Sequence, residues 1–377
     1  MTLRRRGGLA VLALLVVVVA VLLVRTRTEH RTAELASAPP PSPTPAEGVR
    51  RSGPTPEIDS VATGEPSVAR LKEEMEKYRK ASVYPHWSIP LTPDMDFALK
   101  WNDAVTDDLA LDNDAFVRFD GNAGRVFAGE PYTASIKAWR TVNGERRPLP
   151  VKVTRAAVSV TSGPKPGEVF DVSFNDDGID GDAQARDGVV TTRFIPSERT
   201  ELSRATSARI EAYVEIDGQT RQLLRDFVFA PRPVLDVRGA RDQIRDGSLV
   251  VTLDCEVYED GVYTFYGDLM APDGAPIAMT KLSYPLKAGR RTADLTFFGK
   301  VIYDRGVDGP YILRDVHGLK RVEDDESNVW WNHPGQFQTK PYKADQMSDA
   351  EWNDPERLER LANFERVIKE MEGKHAQ

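Results

Sequence analysis

Residues 174–194 read FNDDGIDGDAQARDGVVTTRF, and within fourteen of them six Asp or Asn side chains (Asn175, Asp176, Asp177, Asp180, Asp182, Asp187) stand among three glycines (Gly178, Gly181, Gly188). A set of oxygen donors this close suits a hard cation such as Ca²⁺, and Asp176, Asp180, Asp182 and Asp187 are its candidate ligands. On the EF-hand template Asp176, Asp180, Gly181 and Asp187 take the first, fifth, sixth and twelfth places. Gly178 at the third offers no ligand, and Asp187 replaces the usual Glu. The same residues also fold without metal, because Gly tolerates φ > 0 and Asp or Asn bonds to main chain two residues on. Both readings place a tight acidic loop between two strands, since apolar alternation flanks it on each side.

The rest of the chain offers less chemistry. His30, His86, His317, His333 and His375 have no second His or Glu at helical spacing, so no zinc motif forms. There is no G-x-S-x-G, no P-loop and no dinucleotide glycine fingerprint. A catalytic triad would have to be assembled across the fold, from His317 or His333 with Asp315 and a Ser. Cys255, the only cysteine, alternates with Val251, Leu253 and Val257 and reads as a small core residue. Asp324, Asp325 and Glu326 read as a solvated run. Trp330 and Trp331 beside them fit either a core or an exposed patch for glycan or peptide.

The run of Asp176, Asp177, Gly178, Gly181, Asp182, Ala185, Asp187 and Gly188 resembles the signature of the choice-of-anchor X domain. That domain is an immunoglobulin-like β-sandwich of bacterial envelope proteins. Residues 299–319 (GKVIYDRGVDGPYILRDVHGL) and 347–357 (MSDAEWNDPER) resemble the downstream parts of myxobacterial proteins that carry it. The likeness spans most of residues 115–357, with Val190 where the family more often has an aromatic. It implies a sandwich fold and an envelope location, and no activity.

Several elements must hold the loop in place. Net charge is −8, yet residues 1–34 carry six Arg against Glu29 and Glu34, so the remainder is at −12, which argues against nucleic acid. After Arg4, Arg5 and Arg6 come eighteen uncharged residues, 7–24. As a helix they span about 27 Å, enough to cross a bilayer. An uncleaved anchor is expected, with residues 1–6 inside and the bulk outside, in the periplasm or beyond. A cleaved signal peptide would have a shorter apolar core and a better site than the one at residues 36–38. Residues 25–65, Pro-rich from Leu35, read as a disordered linker.

The expected fold class is mainly β: two consecutive antiparallel immunoglobulin-like sandwiches with amphipathic helices flanking them. Residues 66–110 hold a helix with an apolar stripe at Val68, Leu71, Met75 and Tyr78, then an extended strap at residues 84–91 laid over the first sandwich. The helix can dock on its sandwich or pair with another helix. The first sandwich, residues 111–233, draws on strands at 115–119, 132–139, 151–160, 169–174, 189–194, 208–216 and 222–229. A joint at residues 233–247 leads to the second, residues 248–343, with strands at 249–258, 262–270, 277–284, 292–298 and 311–319. Residues 348–373 read as C-terminal helices, capped at Ser348 with Glu351 and again at Asp354 with Pro355, and ended by Gly373.

Two classes of function stay open on these residues. One is a membrane-anchored, non-enzymatic envelope protein that binds or positions a protein or surface-polymer partner, with calcium-dependent adhesion as a variant. The other is an envelope hydrolase of wall or surface polymer working through paired carboxylates.

Overall fold

The computed structural model describes residues 67–163, 167, 169–321 and 328–375. The expected tail, membrane span and linker (residues 1–6, 7–24 and 25–65) and the acidic run at residues 324–326 lie outside them. Among the described residues no helix is long and apolar enough to cross a membrane.

The described chain is mainly β, in four sheets. Helix α1 (Val68–Ala81), strand β1 (Ser88–Pro90) and helix α2 (Asp96–Leu99) come first. A first β block follows: β2 (Asp108–Ala110), β3 (Ala115–Gly121), β4 (Arg125–Val126), β5 (Tyr132–Val142), β6 (Glu145–Leu149), β7 (Val151–Val160), β8 (Val169–Asp171), β9 (Val190–Phe194), β10 (Ser207–Ile216) and β11 (Gln219–Phe229). The second block is β12 (Leu235–Arg245), β13 (Ser248–Val257), β14 (Gly261–Met270), β15 (Pro276–Leu286), β16 (Gly289–Phe297), helix α3 (Gly299–Arg305), β17 (Ile312–Arg321), β18 (Val329–His333) and β19 (Phe337–Gln338). Helix α4 (Pro355–His375) closes the described chain.

Strand period decides what each sheet buries. In the first block β5 points Tyr132, Ala134, Ile136 and Ala138 inward, and these residues meet Val158, Ile210, Ala212 and Phe227 of the facing sheet β4-β11-β10-β7-β8. Burying each larger side chain contributes about 1.5–3 kcal/mol. Strand β5 is long enough to pair with β9 through Tyr132–Ile136 and with β6 through Ala138–Val142 along one edge. Val190 is buried beside Ile136 and Ala212. In the second block the three-stranded sheet β12-β13-β16 packs on β1-β15-β14-β17-β18, with Leu253, Cys255, Phe265, Leu295 and Trp331 in the core between them.

Five expectations need correcting. Residues 233–247 are no joint: β12 pairs along its length with β13 through a hairpin turned by Asp246 and Gly247, both at positive φ. That Asp-Gly turn is the same signal that marks the β10–β11 and β14–β15 connections. The connection between the blocks shrinks to residues 230–234, and Ala230 and Val234 are already buried in the second core. The strap lies on the second block, not the first, because Ser88, Ile89 and Pro90 add an edge strand opposite Thr280, Met279 and Ala278.

Helices are not confined to the outside. Helix α3 sits between β16 and β17, and its C-cap Gly306 is left-handed at φ 63°. Nor does a helix start at Ser348. There the chain is extended, Ser348 N–H donates to the Gly247 carbonyl at 2.8 Å, and Trp352 enters a cluster with Trp87 and Phe298. The helix begins at Pro355 on an Asp354 carboxylate that accepts from Glu356 N–H, and it runs past Gly373 to His375. Helices α1 and α4 pair antiparallel, with Tyr78 6.1 Å from Phe364 and Lys72 bridged to Glu372.

Candidate functional site

The acidic loop leaves the first block where Asn175 and Thr191 exchange two main-chain hydrogen bonds, of 2.9 and 2.7 Å. The Asp176 carboxylate accepts from the N–H groups of Asp187 and Gly188, both at 3.1 Å. Buried Asp182 accepts from Gly178 N–H at 2.6 Å, and Asp187 accepts from Val189 N–H at 2.9 Å. Gly178 at φ 78° is pressed against Ala185, so a Cβ there would stand 3.1 Å from Ala185 N.

Of the four candidate ligands the structure brings three together. Asp176, Asp182 and Asp187 each place a carboxylate oxygen within 4.8 Å of the others. Asp180 does not join them; it is an exposed turn residue at φ 52°. Strands rather than helices flank the loop, so the EF-hand arrangement is absent. Three carboxylates could hold one Ca²⁺ only with further oxygens, since the ion takes six to eight. The buried Asn175 Oδ1 has no hydrogen-bond partner among the described residues.

His317, His333, Cys255, Trp330 and Trp331 are placed for packing. His317 lies between Trp101 (ring centroids 3.6 Å apart, interplanar 2°) and Tyr266 (5.0 Å, 4°). Its Nδ1 is 2.6 Å from the Asp315 main-chain carbonyl, which can only accept, so Nδ1 carries the proton. The triad reading needed the Asp315 carboxylate there; that group faces Arg314 instead. Burial pulls His317 down to about 4. His333, stacked on Phe337, is also lowered by burial. Cys255 is buried, and desolvation pushes its thiol up to about 12. Trp331 packs edge-on against Phe265, while Trp330 lies under the Arg125 guanidinium at 4.1 Å.

Two features escaped the sequence reading. Trp101, Arg125, His317 and Trp330 form one stack across the boundary between the blocks, in which Arg125 N–H donates to Asn102 Oδ1 at 2.7 Å. Asp268, 2 % exposed, has one carboxylate oxygen without a partner among the described residues, and burial raises it to about 7. The signal was present: Asp268 is the one charged residue in the apolar run from Val262 to Ala271.

No family model matches the chain, and no curated protein matches it. Among solved structures it is similar to a DUF4785 family protein from Legionella pneumophila, at 14% identity and TM-score 0.40, over 62% of this chain and 58% of that one. A β-glucuronidase from Parabacteroides merdae, solved with glycerol in its active site, aligns at 10% identity and TM-score 0.16, over 55% of this chain and 27% of that one. The chain thus spans less than two thirds of either, and likenesses this distant carry no functional argument.

Proposed function

We propose that this chain is a membrane-anchored, envelope-exposed β protein that binds or positions a protein or surface-polymer partner and does not catalyse a reaction. On this reading it crosses the inner membrane once, N-terminus inside, and its β blocks are immunoglobulin-like sandwiches, the first of the choice-of-anchor X kind. One observation supports its non-catalytic part: among the described residues His317, held between two rings, and Cys255, in a core, are taken up by packing. The full chain should stay with carbonate-washed membranes, and protease added to spheroplasts should digest it. A version starting at Ser67 should pellet saturably with isolated envelope fragments. Recovery of the full chain in the soluble fraction ends the anchor, and pelleting without saturation ends the partner.

A calcium-stabilised module is a second reading, favoured by the convergence of Asp176, Asp182 and Asp187 within 4.8 Å. Calcium at a hundredfold excess over its Kd should then add about 2.7 kcal/mol to the first block. Tm should rise by several degrees, and both chelator and Asp182→Asn should remove the gain. Superimposable melting curves in calcium and chelator would leave the main-chain hydrogen bonds as the sole support of the loop.

A further inference from the structure

The outer face of β14 and β17 carries two buried titratable groups of opposite charge type beneath one segment of chain. Tyr266 and His317 are register partners whose rings stack, so they share a face. At Gly267, next in β14, a Cβ would meet Leu295 and Leu313 in the core, so Asp268 points the other way, to the face of Tyr266 and His317. Met270, two residues on, packs with Leu91 and Ala98. Asp268 therefore lies between the part of the sheet covered by Leu91 and Ala98 and the part covered by Trp101. Met279, the register partner of Asp268 on β15, packs in the same cluster, so residues 91–101 cover this face on both sides of Asp268, and Trp101 lies on His317.

We propose that Asp268 and His317 compensate each other, so that the seam beneath residues 91–101 stays shut across the acidic range. With Asp268 protonated and His317 neutral the seam holds no net charge from either. Burial sets both states, holding Asp268 up at about 7 and His317 down at about 4. When the seam opens, water returns and each group reverts toward its ordinary value. From pH about 4 to about 6.5 the carboxyl then loses a proton while the imidazole gains one. Asp268 alone would loosen the seam as pH rises through this window, and His317 alone would loosen it as pH falls. Together the two slopes cancel.

Other charges face the pair. On β17, Asp315 opposes ionisation of Asp268 and Arg314 favours it. Arg125 of the first block disfavours the imidazolium. Lys281 of β15 lies 5.3 Å from the Tyr266 ring, and Asp96 and Lys100 of the roof pair with each other at 3.1 Å.

Hydrogen exchange across residues 91–101 of the full chain in detergent, corrected for intrinsic rates, tests this at pH 4.5, 5.5 and 6.5. The wild type and the Asp268→Asn/His317→Gln double variant should change less than about threefold over the range. In Asp268→Asn opening should rise about tenfold per pH unit toward acid, and in His317→Gln about tenfold per unit toward neutrality. Single variants sloping the same way, or a wild-type slope near tenfold per unit, overturn the proposal. Should a variant fail to fold, NMR of the wild type decides: a His317 midpoint near 6.5 overturns it, and an imidazole still neutral at pH 5 with an Asp268 carboxyl titrating above 6 supports it.

Discussion

Replacing Gly318 by alanine is expected to destabilise the second β block by about 3 kcal/mol or more. Gly318 lies in β17 opposite Phe265 of β14 and Trp331 of β18, where both partner strands come close. An added Cβ would overlap the Thr264 carbonyl oxygen and stand 2.6 Å from the Trp331 ring. Neither neighbour can retreat. The carbonyl belongs to a strand paired on both sides, and Trp331 is buried against Phe265 at 4.8 Å. Relief would mean prying β14 from β17 along their ladder. Urea unfolding at constant m-value measures the loss, and a loss below about 1 kcal/mol would show that the ladder gives way easily. Gly239→Ala is the control, since its added carbon meets nothing nearer than 3.9 Å, and it should stay within about 0.5 kcal/mol.

Trp101→Ala should cost about 2–3 kcal/mol and loosen the two blocks from each other. The indole stacks on His317 of the second block and lies 5.9 Å from Phe127 of the first, while the Trp101 main-chain carbonyl, which the substitution keeps, accepts from Arg125 Nη1 at 2.5 Å. Its loss removes contact area and lets water reach the imidazole. His317 should then titrate well above about 4, toward the ordinary 6.5. The sign follows from linkage. A histidine held neutral by burial contributes nothing adverse above pH about 6.5 and costs stability as pH falls toward 4, because the unfolded chain binds the extra proton. The variant is less stable at pH 7 but should lose less of this component on acidification. An imidazole midpoint unchanged from wild type would mean that Tyr266 and the strand edges, not Trp101, exclude the water.

The acidic loop was legible as a loop and only partly as a site. Its Asx turns and positive φ values follow from residues adjacent in sequence, which is why Gly178, Gly181 and Gly188 could be read directly. Which carboxylates converge depends on how the loop folds back. Asp176 reaches the N–H groups of Asp187 and Gly188, and Asp180 is turned outward by that closure.

Local pattern alone was sufficient for the strands with clear alternation. Strands β5, β7 and β10 fall where period-two burial and Asn-Gly or Asp-Gly turns put them, because a half-buried strand writes its own period and a tight turn needs its own residues. Strand β6 was hidden because ERRPL is exposed and polar, with a proline, so pairing with β5 and not burial makes it a strand. Only the tertiary structure decided that the strap joins the second block and that α1 lies on α4. Each turns on which distant surface offers a free sheet edge or a matching apolar stripe, and nothing within a local window of sequence encodes that. The same holds for Asp268 and His317. Their residue types are plain in the sequence, but their desolvation is set by chain folded over them from more than a hundred residues away.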